Sequence, residues 1–185
     1  HWPAEKPGGD NIRSLLARRL MRLDRGDEAI PYFTKEMREK AIQYQLALCD
    51  GRSQRRSASE RTKLLWTAAT IVRGEGMELF GTELAPDGGL HSGNFEDWIV
   101  PARLKPTATP SVIGATPDER ARAEQSAASP PIRFHYRYLA ADIAWEAIAL
   151  MQDNDPAGAA RLCEAGGWLK AQDAKSADRF YKELV

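Results

Sequence analysis

Side chains able to do chemistry gather around one stretch of this chain: His91, Asn94, Glu96 and Asp97 lie close in sequence, with Glu75, Glu78 and Glu83 just upstream. An imidazole among carboxylates can ligate a metal or exchange protons, and loops often carry such groups. One reading is therefore an enzyme built around Glu78, Glu83 and His91. Against it, the only histidines are His1, His91 and His135, which lack the paired spacing of a zinc hydrolase helix. Cys49 and Cys163 stand alone, so neither a zinc site nor a disulfide framework follows, and both are expected as small core residues. No glycine-rich phosphate loop, Rossmann fingerprint or nucleophile elbow occurs. The sequence thus calls for no catalytic residue, no metal and no cofactor.

Two basic clusters raise the question of nucleic acid. Arg52, Arg55, Arg56 and Arg61 fall in a polar break between helical patterns, where solvated side chains are the ordinary outcome. The run from Arg133 through Phe134, His135, Tyr136, Arg137 and Tyr138 mixes basic and aromatic residues as single-strand platforms do. At helical spacing, however, Phe134, Tyr138 and Ala141 share one side, the pattern of a core helix. The chain carries 26 basic and 26 acidic side chains with a pI near 7.0, a balance that argues against a dedicated nucleic-acid surface. No apolar run approaches the ~20 residues that span a bilayer, and no signal peptide is apparent. The start at His1 without Met, and the helical pattern running to Val185, suggest a segment of a longer parent chain.

These groups must be positioned by helices. With 185 residues, 43% of them hydrophobic, the chain is long enough for one core or a short helical array. Residues 1–10 hold Pro3, Pro7, Gly8 and Gly9 and predict lead-in coil. A first helix follows from a cap at Asp10 or Asn11 to about Leu23, with Leu15, Leu16, Leu20 and Leu23 as its apolar stripe. Gly26 is expected to close it in the left-handed conformation, and Asp27 to cap a second helix through Ile30, Phe33, Met37, Ala41 and Tyr44 toward Leu48. Pro31 fits its first turn. A third helix is predicted from Ser57 or Ser59 to Phe80, so that residues 11–80 form a hairpin plus one helix. Residues 81–131 are punctuated by proline and glycine, from Pro86 to Pro131, and predict an irregular insertion with one short helix near 117–127. Helical period returns over 132–185: Phe134 to Met151, Pro156 to Ala171, and a last helix after an Asp173 cap. All of this predicts one continuous, all-α domain.

Two stretches repeat a spacing. Ala17, Ala29 and Phe33, then Ala165, Ala177 and Tyr181, place a small residue, another Ala twelve positions on and an aromatic four later. With a Gly or Asp break between the two alanines, this describes antiparallel helices crossing where only a methyl fits. Ala17, Leu20, Gly26, Ala29 and Phe33, and again Ala165, Trp168, Asp173, Ala177 and Tyr181, resemble the tetratricopeptide repeat family, and the C-terminal part is similar to the repeat regions of large bacterial members. The resemblance covers about half of the chain. It implies helix pairs of about 34 residues coiling into a right-handed α-solenoid with a concave groove. Departures are the Ala at the first crossing in place of Gly, and the missing closing Pro after Phe33.

By that family's register, Asn11, Ser14, Arg18 and Arg22 face the groove in the first unit, where an Asn and two Arg could hold a carboxylate. The equivalent positions of the last unit, Ala159, Leu162, Gly166, Leu169 and Lys170, are mostly apolar, which weakens a two-repeat carboxylate clamp. The expectation is a scaffold of stacked helical hairpins that binds a protein or peptide partner. Besides the enzyme, the alternative is a purely architectural part of the parent chain.

Overall fold

Capping residues set where the helices start. In the computed structural model, which describes residues 9–81, 116–125, 134–171 and 173–184, the helices are α1 (Gly9–Arg22), α2 (Gly26–Ala29), α3 (Lys35–Arg52), α4 (Ala58–Phe80), α5 (Pro117–Gln125), α6 (His135–Ile148), α7 (Pro156–Lys170) and α8 (Ala174–Lys182). Among the described residues all regular structure is helical. Ser57 and Glu60 form a reciprocal box at the start of α4: Ser57 Oγ accepts from the Glu60 amide at 3.3 Å, and Glu60 accepts from the Ser57 amide at 3.0 Å. Asp155 caps α7 ahead of Pro156, accepting from the Ala157 amide at 2.9 Å, and Asp173 caps α8 through the Ser176 amide at 3.0 Å. The proposed lead-in coil lies largely outside the described residues, and α1 is already helical at Gly9.

Two local expectations are corrected. Asp24, not Gly26, takes the left-handed conformation after α1, with φ 57°. The Arg25 amide donates to Leu20 and the Asp24 amide to Met21, a Schellman closure that satisfies the last carbonyls. Gly26 packs instead against the Gln45 side chain, whose amide end occupies the space a Cβ there would take. The helix foreseen from Asp27 toward Leu48 is interrupted: a 3-10 turn, Ile30–Tyr32, follows α2, Phe33 is extended, and Thr34 caps α3. Pro31 has no amide proton to continue a helix. Arg38 donates to the carbonyls of Ile30, Pro31 and Phe33 at 3.2–3.4 Å, bracing the interruption from α3.

Packing follows chain order. Antiparallel α3 and α4 close on Gly51, where an added Cβ would lie 2.8 Å from the Leu65 side chain, and Tyr44 meets Phe80 edge to face at 5.6 Å. Antiparallel α4 and α6 close on Gly76, whose place is taken by the Tyr136 ring, and Thr62 donates to the Ala147 carbonyl at 3.3 Å. Ten core alanines, among them Ala17, Ala29, Ala141 and Ala165, have no exposed surface at all, so helices approach to methyl distance. Leu65, Val72, Leu79, Ile143, Leu169 and Phe180 are the largest fully buried side chains.

Of the residues expected at the crossings, Ala17, Leu20, Ala29, Phe33, Ala165, Trp168 and Ala177 are buried. Tyr181 is half-buried, and the fully enclosed aromatic is its neighbour Phe180, edge to face with Trp145 at 5.2 Å. The close approach of α7 and α8 is at Gly166, where an added Cβ would meet Tyr181 Cζ at 3.0 Å and Phe180 Cβ at 3.1 Å. Cys49 and Cys163 are exposed free thiols, correcting their expected place in the core.

Candidate interaction surface

Ser14, Arg18 and Arg22 lie on α1, but the two arginines turn toward the end of α4. Arg22 Nη1 donates to the Phe80 carbonyl, and Arg18 Nε donates to the Ser14 carbonyl at 3.3 Å. Gly81 ends α4 at φ 62°, and a Cβ there would lie 2.9 Å from Arg18 Cδ. A helix C-terminus presents carbonyls without helical donors and carries partial negative charge, so cations gather there. The structure therefore gives this arginine pair an internal role at the α1–α4 contact. Asn11 is on α1, with its side chain outside the described residues.

The last unit's corresponding positions do not form an open face either. Leu162, Gly166 and Leu169 are buried, while Ala159 and Lys170 are exposed. Of the enzyme reading, Glu78 is exposed on α4, and Glu83 and His91 lie outside the described residues. No group of three His, Cys, Asp or Glu side chains able to hold a metal exists among the described residues.

The basic clusters also find internal partners. Arg52 makes a two-pronged pair with Glu146 on α6 at 2.7 and 3.0 Å, Arg56 pairs with Asp50 at 2.7 Å, and Arg61 donates to the Gly51 carbonyl at 3.1 Å. Phe134 and Tyr136 are buried and Tyr138 only partly, so α6 is rotated relative to the predicted Phe134–Tyr138 core face. No described helix is long and apolar enough to cross a membrane.

The feature that sequence reasoning missed is which leucines stay outside. On α1 the core takes Ala17, Leu20 and Met21, whereas Ile12 is 71%, Leu16 40% and Leu23 63% exposed. At about 100° per residue these three fall within an arc of about 40°. A second outward stripe runs along α3 through Ile42, Leu46 (63% exposed) and the Cys49 thiol. The signal was present: Ile12, Leu16 and Leu23 share one helical face and Ala17, Leu20 and Met21 another. Two apolar faces on one helix cannot both be covered by one set of neighbours.

A cleft of about 290 Å³ separates the α1–α2 turn from α3, with Met21, Asp24 and Asp27 on one wall and Tyr44, Leu48 and Arg52 on the other. Burial pushes the Tyr44 phenol up to about 12, so it stays protonated and can donate a hydrogen bond. A larger cleft of about 610 Å³ opens at the α6–α7 turn, walled by Trp145, Ile148, Met151, Leu162 and Leu184 and rimmed by Asp153. Both concavities are mixed apolar and polar, which suits a peptide side chain as well as a small molecule. Compared with known proteins, the chain matches no family model, no curated sequence and no solved structure.

Proposed function

We propose that this chain is a helical-repeat interaction module whose first hairpin binds the apolar face of a partner helix or extended peptide. The supporting observation is the pair of outward apolar stripes on α1 and α3. Monomeric surfaces rarely keep several large aliphatic side chains exposed on adjacent elements unless something covers them. Each anchor buried on binding contributes about 1.5–3 kcal/mol, a tenfold effect or more on affinity.

Helix offsets support a repeat arrangement. Tyr138 donates to Asp173 and Asp142 pairs with Arg179, contacts separated by 35 and 37 residues, and Trp145 meets Phe180 at the same spacing. A constant offset means that α6 and α8 run parallel, close to the period of about 34 residues that defines tetratricopeptide repeats. With Trp66 of α4 against Trp168 of α7 at 5.6 Å, α1, α4 and α7 read as one layer of a right-handed solenoid and α3, α6 and α8 as the other. The architectural alternative differs in one respect: the stripes would be covered by the same polypeptide rather than by a separate partner.

The test is selection of amphipathic peptides on the whole chain, followed by affinity measurements on Leu23→Glu and Leu46→Glu. Selected peptides should bind each variant at least tenfold more weakly, while Tm holds, because both side chains are solvent-exposed. Peptides whose affinity ignores both changes would refute this face as the binding surface. Arg18 and Arg22 are poor probes, since their loss disturbs the end of α4.

A further inference from the structure

The cleft at the α6–α7 turn combines apolar walls with charge of a single sign. Trp145 and Ile148 of α6 and Leu184 beyond α8 line its volume of about 610 Å³, within the range of ligand clefts. Its ionisable lining residues are Asp153, Asp155 and Glu183, and no lysine, arginine or histidine lines it among the described residues. Asp155 is committed to the cap of α7, whereas Asp153 and Glu183 are exposed and pair with no cation among the described residues. The cations nearby are engaged elsewhere. Arg161 lies over the Trp66 ring at 5.0 Å and donates to Met151 Sδ, Arg179 pairs with Asp142, and Lys182 pairs with Asp178 at 2.6 Å. Backbone dipoles add the same sign. Ala149 ends α6 and Glu183 ends α8, so two helix C-termini bring partial negative charge to one cleft, while Asp155 offsets the positive start of α7.

A cation is the complementary charge. A bare metal ion does not fit, because these carboxylates form no group able to hold one. A lysine or arginine side chain does: its aliphatic stem covers apolar wall while its charged head reaches the rim. Asp153 and Glu183 come from different elements, the α6–α7 turn and the end of α8. Two basic heads flanking an apolar anchor therefore match the cleft better than one small amine. We infer that the α6–α7 cleft docks an extended peptide in which lysine or arginine alternates with large apolar residues. The cleft belongs to the last two hairpin arms, so this site stands or falls independently of the apolar stripes on α1 and α3.

The whole chain is titrated with labelled, end-capped peptides of equal length, and binding is read by fluorescence anisotropy. Two probes alternate lysine with leucine or arginine with phenylalanine, and two controls alternate glutamate with leucine or lysine with serine. At least one basic–apolar probe should bind, and both controls at least tenfold more weakly. Raising the ionic strength toward 1 M, where the screening length falls to about 3 Å, should weaken the complex. Asp153→Lys combined with Glu183→Lys should lower affinity tenfold or more at unchanged Tm, because both side chains are exposed. Should that variant not fold, Asp153→Asn combined with Glu183→Gln is expected to show the same direction of loss. Leu184→Ser should also weaken binding, and Leu46→Glu should bind as the parent does. Binding of neither basic–apolar probe, equal binding of the lysine–serine control, or affinity indifferent to the rim substitutions would each overturn the site. Binding lost in Leu46→Glu and kept in the rim variants would do so too, by placing the peptide on the first hairpin.

Discussion

The first hairpin and the last carry the same small, small, aromatic spacing and fold differently. In the last, α7 and α8 are uninterrupted and cross at Gly166 under Phe180 and Tyr181. In the first, the arm opposite α1 breaks at Ile30–Thr34 and resumes as α3. Ala17 and Ala29 are nonetheless as fully buried as Ala165. Such a spacing therefore reports where the chain must be thin, and says little about whether it stays helical between those points. The two hairpins also differ outside: the last encloses Leu162, Leu169 and Phe180, whereas the first leaves Ile12, Leu23 and Leu46 in solvent.

The largest expected effect separates the two aromatics of the last hairpin. Phe180 is fully buried against Trp145, so Phe180→Ala should cost about 3–5 kcal/mol. Tyr181 is half-buried and keeps one face toward solvent and Lys170, so Tyr181→Ala should cost clearly less. Urea unfolding of both variants measures the order. The reverse order would return the locking role to Tyr181, as the spacing predicts.

A smaller pair of effects probes the crossing itself. Gly166→Val forces a branched side chain into the Phe180–Tyr181 contact and should cost about 1–3 kcal/mol through overpacking. One residue on, an added Cβ at Gly167 meets nothing within 4 Å. Gly167→Ala should therefore stabilise α7 by about 0.5–1 kcal/mol, by restricting the unfolded chain and favouring the helix. Equal responses at the two positions would mean that α7 and α8 do not close at Gly166.

Much of the helical layout was legible because caps are local chemistry. Ser57 and Asp173 each start the helix that the sequence assigned to them, and the helix predicted from Pro156 starts there under an Asp155 cap. The break near Phe33 was not legible, because Pro31 is tolerated in a first turn and only the tertiary contacts of Arg38 and Arg13 with the Ile30–Phe33 carbonyls make the interruption stable. Rotation about a helix axis was the other blind spot. Leu15, Leu16, Leu20 and Leu23 look like one stripe, yet only Leu20 is buried, since the choice of face depends on which neighbour arrives. The arginines expected on α1 are there, with Arg22 donating to the Phe80 carbonyl at the end of α4 and Arg18 to the Ser14 carbonyl of its own helix. His91 and Glu83 lie outside the described residues, and the enzyme reading gains no geometry from Glu78 alone.

The smallest effect distinguishes the hairpins by the charge of their caps. Thr34 caps α3 through a long, exposed contact with the Met37 amide at 3.5 Å, and Thr34→Ala should cost about 0.5 kcal/mol at any pH. Asp173 caps α8 as a carboxylate, accepting from the Ser176 hydroxyl and amide and from Tyr138, and these bonds, the Ser176 hydroxyl foremost, hold its pKa below the usual value. A depressed folded-state pKa contributes stability that is complete above the unfolded value of about 3.9 and is lost as pH falls through the lower, folded one. Asn is an equally good capping residue, so Asp173→Asn removes the charge and leaves the cap. Its Tm should lie below that of the parent at pH 6, with the gap closing as the solution is taken below about pH 4. Over the same range the Thr34→Ala gap should stay constant, because no proton is exchanged at that cap. Parallel Tm curves for Asp173→Asn and the parent would mean that α8 is held by hydrogen-bond geometry alone, as α3 is.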